Sequence, residues 1–98
     1  MEYTDKIIKK VSICGFQSPR GNNPVPNQYD ITIAGEARYF QSYSTMIACI
    51  SNDGKTYLDP QWNYSVTTSK YRNQFLGEDT KTTKKKIASG EYIITNLN

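Results

Sequence analysis

Apolar and polar side chains alternate through much of the first two-thirds of the chain, and the period changes after Pro60. Tyr29-Asp30-Ile31-Thr32-Ile33-Ala34 alternates as a half-buried strand does. Gly35-Glu36 predicts a two-residue turn into a second strand, Arg38–Tyr43, giving an antiparallel hairpin. Upstream, Lys6–Cys14 is apolar and β-branched enough to read as a first strand. Between them, Ser18–Asn27 holds three prolines, a glycine and three asparagines, and reads as a loop. Thr45–Ile50 is a continuous apolar run that fits a buried strand or a helical turn. The Asp53-Gly54 pair that follows is a strong hairpin signal, so the strand is preferred, with Thr56–Leu58 returning alongside it. Asp59-Pro60 ends that strand, because proline lacks a backbone donor and biases the residue before it away from helix.

Beyond Pro60 the spacing becomes helical. Thr67 or Thr68 can cap a helix through its hydroxyl. Tyr71 and Phe75 stand four apart on one face with Leu76 beside them, and Gly77 suits a left-handed C-terminal residue. Asp79 can cap a second helix, Thr80–Ser89, that stops at Gly90 and is anchored by Ile87 and Ala88. Tyr92-Ile93-Ile94 closes as a final strand. The expected product is one α+β domain over residues 1–98: a small antiparallel sheet of about four to six strands with one or two helices from the C-terminal half packed on it.

Composition narrows the chemistry. A 98-residue chain with 37% apolar residues is one small globular domain. Its eight tyrosines fit a half-exposed sheet better than a binding face. The chain has no histidine, which removes the usual general base, the usual partner of a Ser or Cys nucleophile and the commonest zinc ligand. Cys14 and Cys49 are expected as buried free thiols, no phosphate-binding glycine loop is present, and Asp53, Asp59, Glu78 and Asp79 fall in apparent turns or caps. These residues argue against an enzyme, a metal site or a cofactor. No run approaches the ~20 apolar residues of a membrane span, and the acidic opening Met1–Asp5 does not resemble a signal peptide, so the expectation is a cytoplasmic protein with no membrane partner.

Charge is unevenly placed. Thr67–Lys86 carries six cations against Glu78 and Asp79, and the rest of the chain has six cations against seven acids. The basic excess therefore belongs to the two predicted helices. Lys84-Lys85-Lys86 fits a solvated helix C-terminus, where the dipole favours cations. Lys70, Arg72, Asn73 and Gln74, at the start of the first helix and outside its Tyr71–Phe75 packing face, are the better candidates for partner contact. Arg20, Asn22 and Asn23, on the loop stiffened by proline, form a second candidate patch. Were the partner a nucleic acid, Lys70, Arg72, Lys81, Lys84 and Lys85 would be its contacts, with aromatic rings nearby for stacking.

Three stretches, Phe40–Ala48, Gly54–Leu58 and Tyr64–Gly77, together with the loop Arg20–Gln28, resemble a family of small proteins encoded by phages and prophages of Gram-positive bacteria. Members often carry His where this chain has Tyr71. The resemblance implies a bacterial host cytoplasm and action by stoichiometric binding. The leading expectation is an accessory protein that binds and inhibits a host defence component, a protein or ribonucleoprotein such as a CRISPR–Cas effector. The alternatives are a DNA- or RNA-binding module and a sponge for a nucleotide signal. The residues fit a monomer and a homodimer equally.

Overall fold

A computed structural model of the chain describes residues 11–17 and 24–98. Lys6–Lys10 of the expected first strand, and the candidate contacts Arg20, Asn22 and Asn23, lie outside the described residues. The elements run β1 (Val11–Gln17), β2 (Pro24–Ile33), β3 (Ala37–Ser42), β4 (Thr45–Ser51), β5 (Thr56–Leu58), α1 (Val66–Leu76), α2 (Thr80–Ala88) and β6 (Tyr92–Ile94). The strands form one sheet in sequence order, antiparallel from β1 to β5, with β6 parallel to β5. The parallel step follows from topology: the chain leaves β5, runs through both helices and returns beside β5 in the same direction. This is the expected α+β fold, with both described helices in the C-terminal half. Among the described residues no helix is long and apolar enough to cross a membrane.

Several local expectations are corrected. The β2–β3 turn takes three residues, Ala34–Glu36, rather than two; Gly35 sits at φ 76° and the Glu36 amide bonds the Ile33 carbonyl at 3.0 Å. Strand β2 begins at Pro24, inside the stretch read as loop. Pairing jumps there from Gly15↔Tyr29 to Phe16↔Val25, so the residues between Val25 and Tyr29 bulge out of the β1 ladder and Pro26 owes it no hydrogen bond. Asn27 in this bulge has φ 65°, and its carbonyl accepts from the Tyr43 amide at 2.6 Å. Cys49 is a buried free thiol as expected, but Cys14 is exposed, because β1 is the edge strand and most of its residues face solvent.

The core lies between the sheet and the helices. Phe40, Ile47, Ala48 and Leu58 from the strands meet Tyr71 and Phe75 from α1 and Tyr92 from β6. Phe40 stacks on Phe75 at 5.9 Å, and Phe16 packs edge-on against Phe40 at 5.5 Å. In α2 the fully buried residue is Thr83; Ile87 is half-buried and the other expected anchor, Ala88, is exposed. The Thr83 hydroxyl bonds Glu78 Oε2 at 2.6 Å, so a polar contact anchors this helix where an apolar one was expected.

Candidate functional site

The junction from Asn63 to Gly77 is built by two opposed stripes on α1. Thr68, Tyr71, Arg72 and Phe75 follow the i, i+3, i+4, i+7 spacing of one helical face, and all four are buried. Val66, Ser69, Lys70 and Asn73 follow the same spacing two positions earlier, about 200° round the helix, and line the opposite face. The N-cap is Ser65, whose hydroxyl accepts from the Thr68 amide at 3.1 Å. Neither Thr67 nor Thr68 caps the helix; Thr68 lies inside it, fully buried, and its hydroxyl hydrogen-bonds that of Ser42 at 2.9 Å. Gly77 ends the helix at φ 71° with its amide on the Asn73 carbonyl, as the sequence indicates. Asp79 caps α2 by accepting from the Thr82 amide at 2.8 Å.

Arg72 is the main correction. Expected as an exposed contact, it is 0% exposed. Its Nη1 donates to the Trp62 carbonyl at 2.6 Å, to Asn63 Oδ1 at 3.2 Å and to Ser69 Oγ at 3.3 Å. Its Nη2 donates to Asn73 Oδ1 at 2.9 Å and to Thr80 Oγ1 at 2.7 Å, while the guanidinium lies 4.8 Å from the Trp62 ring centroid. Burial pushes its pKa down, though Glu78 opposes that shift. The physical reason for its position is the stripe: Arg72 falls at i+4 from Thr68, so a helix that buries Thr68 and Phe75 must bury it too. A guanidinium has the donors to satisfy several neutral oxygens at once in such a place.

Arg72 therefore organises a surface that it does not touch directly. Asn63, Ser69 and Asn73, three of its acceptors, line a broad, shallow depression of about 620 Å³ together with Tyr64, Ser65, Val66 and Lys70. Ser69 Oγ also donates to Asn63 Oδ1 at 2.8 Å. Of the sequence-expected contacts, Lys70 and Gln74 are exposed and Asn73 is half-buried at the depression. Lys70 Nζ lies 5.5 Å from the Tyr71 ring centroid. Lys81, Lys84 and Lys85 are exposed on α2, away from this depression. Lys86, by contrast, is tied down: Nζ donates to Glu78 Oε1 at 2.8 Å and lies 3.8 Å from Glu91.

Sequence reasoning missed Tyr64 and Val66, which are 52% and 87% exposed. Their signal was available. Val66 stands nine positions from Phe75, about 180° away on a helix, so an apolar side chain there has no place in the core. Among the described residues no group of three or more His, Cys, Asp or Glu could hold a metal ion. Burial pushes the Cys49 thiol up, which keeps it protonated and poorly nucleophilic.

The model of a family of unknown function, DUF8033, matches residues 8–91. The chain belongs to this family. The match spans β1 through α2 and so includes the whole DUF8033 depression and the arginine beneath it. No curated protein and no solved structure matches the chain.

Proposed function

We propose that this DUF8033 chain is a non-enzymatic binding protein that docks a protein or ribonucleoprotein partner at the start of α1. Within the phage setting that its sequence resembles, the partner is a host defence complex, with a CRISPR–Cas effector as the target to test first. The observation that carries this reading is the pairing of a prepared frame with exposed contact groups. Arg72 fixes Asn63, Ser69 and Asn73 before any partner arrives, while Tyr64, Val66, Lys70 and Gln74 stand exposed around them. A rigid polar floor reduces the side-chain ordering lost on binding, and an exposed tyrosine at its rim is a residue type enriched in interface hot spots.

The test is protection of a phage or plasmid from interference by cells expressing the chain, with capture of the effector from lysate. Tyr64→Ala combined with Val66→Asp and Lys70→Ala is expected to abolish protection while leaving the folded circular-dichroism spectrum intact. Full protection by that folded variant overturns the assignment.

The exposed cations Lys70, Lys81, Lys84 and Lys85 favour a second reading, direct binding of DNA or RNA. It requires affinity that falls steeply as salt rises, and capture that disappears when the lysate is treated with nuclease. A partner retained after nuclease treatment supports the protein reading instead.

A further inference from the structure

The sheet has two faces, and the described helices cover only one of them. Phe40, Ser42 and Leu58 point towards the helices, as the Phe40–Phe75 stack, the Ser42–Thr68 bond and the shared core place them. Their chain neighbours point the other way. Strand register links Ile13 to Ile31, Ile31 to Tyr39, Tyr39 to Cys49, Cys49 to Tyr57 and Tyr57 to Ile93. One unbroken apolar and aromatic row thus crosses all six strands on the face away from the helices. A second row, Val11–Ile33–Ala37–Ser51, runs beside it, and the Tyr29–Gln41 pair lies beyond. No charged residue occurs in these rows. An antiparallel sheet with one solvated face ordinarily alternates to polar residues there. This one does not, and its margins are open, with Val11 53% exposed, Ile13 64% and Ile93 41%, while the small Ala37 and Cys49 are already buried among their larger neighbours.

We infer that this face is where a second copy of the chain docks, sheet against sheet, to form a twofold homodimer. Charge argues for a like partner. The strand rows carry no charge of their own, with Glu36 and Asp53 confined to the turns at one end of the sheet, while Lys70, Lys81, Lys84 and Lys85 sit on the helical layer behind, so two copies meet without bringing their basic surfaces together. A charged partner would find no complementary group within the rows themselves. Geometry gives a similar answer. Six strands about 4.8 Å apart, with about six residues of strand length at the centre, offer a footprint of roughly 500–600 Å² per copy. Two copies bury roughly 1,000 Å², the lower bound for a specific interface, which suits a reversible dimer with a dissociation constant in the micromolar range. Flat twisted sheets pack face to face in this way in β-sandwiches. The dimer would leave the α1 depressions on its outer layers, so the inference stands independently of the proposed partner.

The test is sedimentation equilibrium of the full chain over roughly 1–500 μM, the range that brackets a micromolar dissociation constant. The wild-type mass is expected to rise with concentration to twice that of the chain. Ile13→Glu and Ile93→Glu, both at exposed positions the fold tolerates, are each expected to weaken association at least tenfold without lowering the melting temperature. Lys84→Glu, on the helical layer, is expected to leave it unchanged. A wild-type chain that is monomeric throughout overturns the inference. So does a dimer that survives both glutamates, as one built edge to edge along β1 would, or one that Lys84→Glu dissociates.

Discussion

Arg72 shows how one residue can be read correctly for chemistry and wrongly for place. A cation among amides beside aromatics suggests a contact residue on the sequence. The buried stripe through Thr68 and Phe75 decides otherwise, and the charge becomes a clamp joining the Trp62–Asn63 turn to both helices. Replacing it by Lys retains the charge but not the fork, so one ammonium cannot reach acceptors on both sides. Arg72→Lys is expected to destabilise the fold by about 2–4 kcal/mol, because buried oxygens lose donors and a buried cation loses its partners. Urea denaturation would register this as a lower midpoint with an unchanged slope. A shift equivalent to less than about 0.5 kcal/mol, the ordinary surface range, would return Arg72 to the role of a surface residue. The signal that places it was present in the spacing of Thr68, Tyr71, Arg72 and Phe75. It was masked because two of those four positions are polar.

Element types were legible because most rest on local chemistry: the Asp53-Gly54 turn, the left-handed Gly77 and the Asp79 cap all stand as the sequence indicates, whereas β2 is a strand whose alternating isoleucines are no better buried than Asp30 and Thr32 between them. Boundaries were less so. Ser65, Thr67 and Thr68 all carry hydroxyls, and which one caps α1 is settled by which residue the core buries. Ser65→Ala is therefore expected to cost about 1 kcal/mol, and Thr67→Ala less than about 0.5, in thermal or urea unfolding. The reverse order would shift the cap. Glu78, between the helices, supplies a pH test. Burial pushes its pKa up, but donors from Lys86, Thr83 and Tyr92 outweigh that and hold it below the ordinary carboxylate value. A carboxyl depressed by folding contributes stability that is complete above its unfolded pKa of about 4.3 and is lost as pH falls through the lower folded value. Stability should accordingly fall on acidification below about pH 5, and Glu78→Gln should be less stable at pH 7 yet show a shallower acid dependence. An unchanged acid slope in Glu78→Gln would assign the acid sensitivity elsewhere.

At the scale of the whole molecule, residues 95–98 tie down the β4–β5–β6 end of the sheet, and no local pattern announces that. The Thr95 amide bonds the Leu58 carbonyl at 2.9 Å and extends the β5–β6 pairing. Asn98 then reaches across to β4: its Oδ1 accepts from the Met46 amide at 2.7 Å and its Nδ2 donates to the Met46 carbonyl at 3.0 Å. Between them lies Asp59, 3% exposed, whose carboxylate accepts from the amides of Gln61 and Leu97 and from the side chain of Asn98. Burial pushes that carboxyl up, and the three donors bring it below its ordinary value. Asp59-Pro60 was legible as a strand break. Its second role was not, because Leu97 and Asn98 lie nearly forty residues away in sequence. Asp59→Ala should thus cost about 2–3 kcal/mol, since it strands two backbone donors in a buried place, whereas Asn98→Ala, at the exposed end of the same network, should cost about 1. The two substitutions share a hydrogen bond, so the double variant is expected to lose less than the sum of the singles. Strict additivity in urea unfolding would mean that Asn98 and the turn after β5 are energetically separate, and that the end of the sheet holds without this contact.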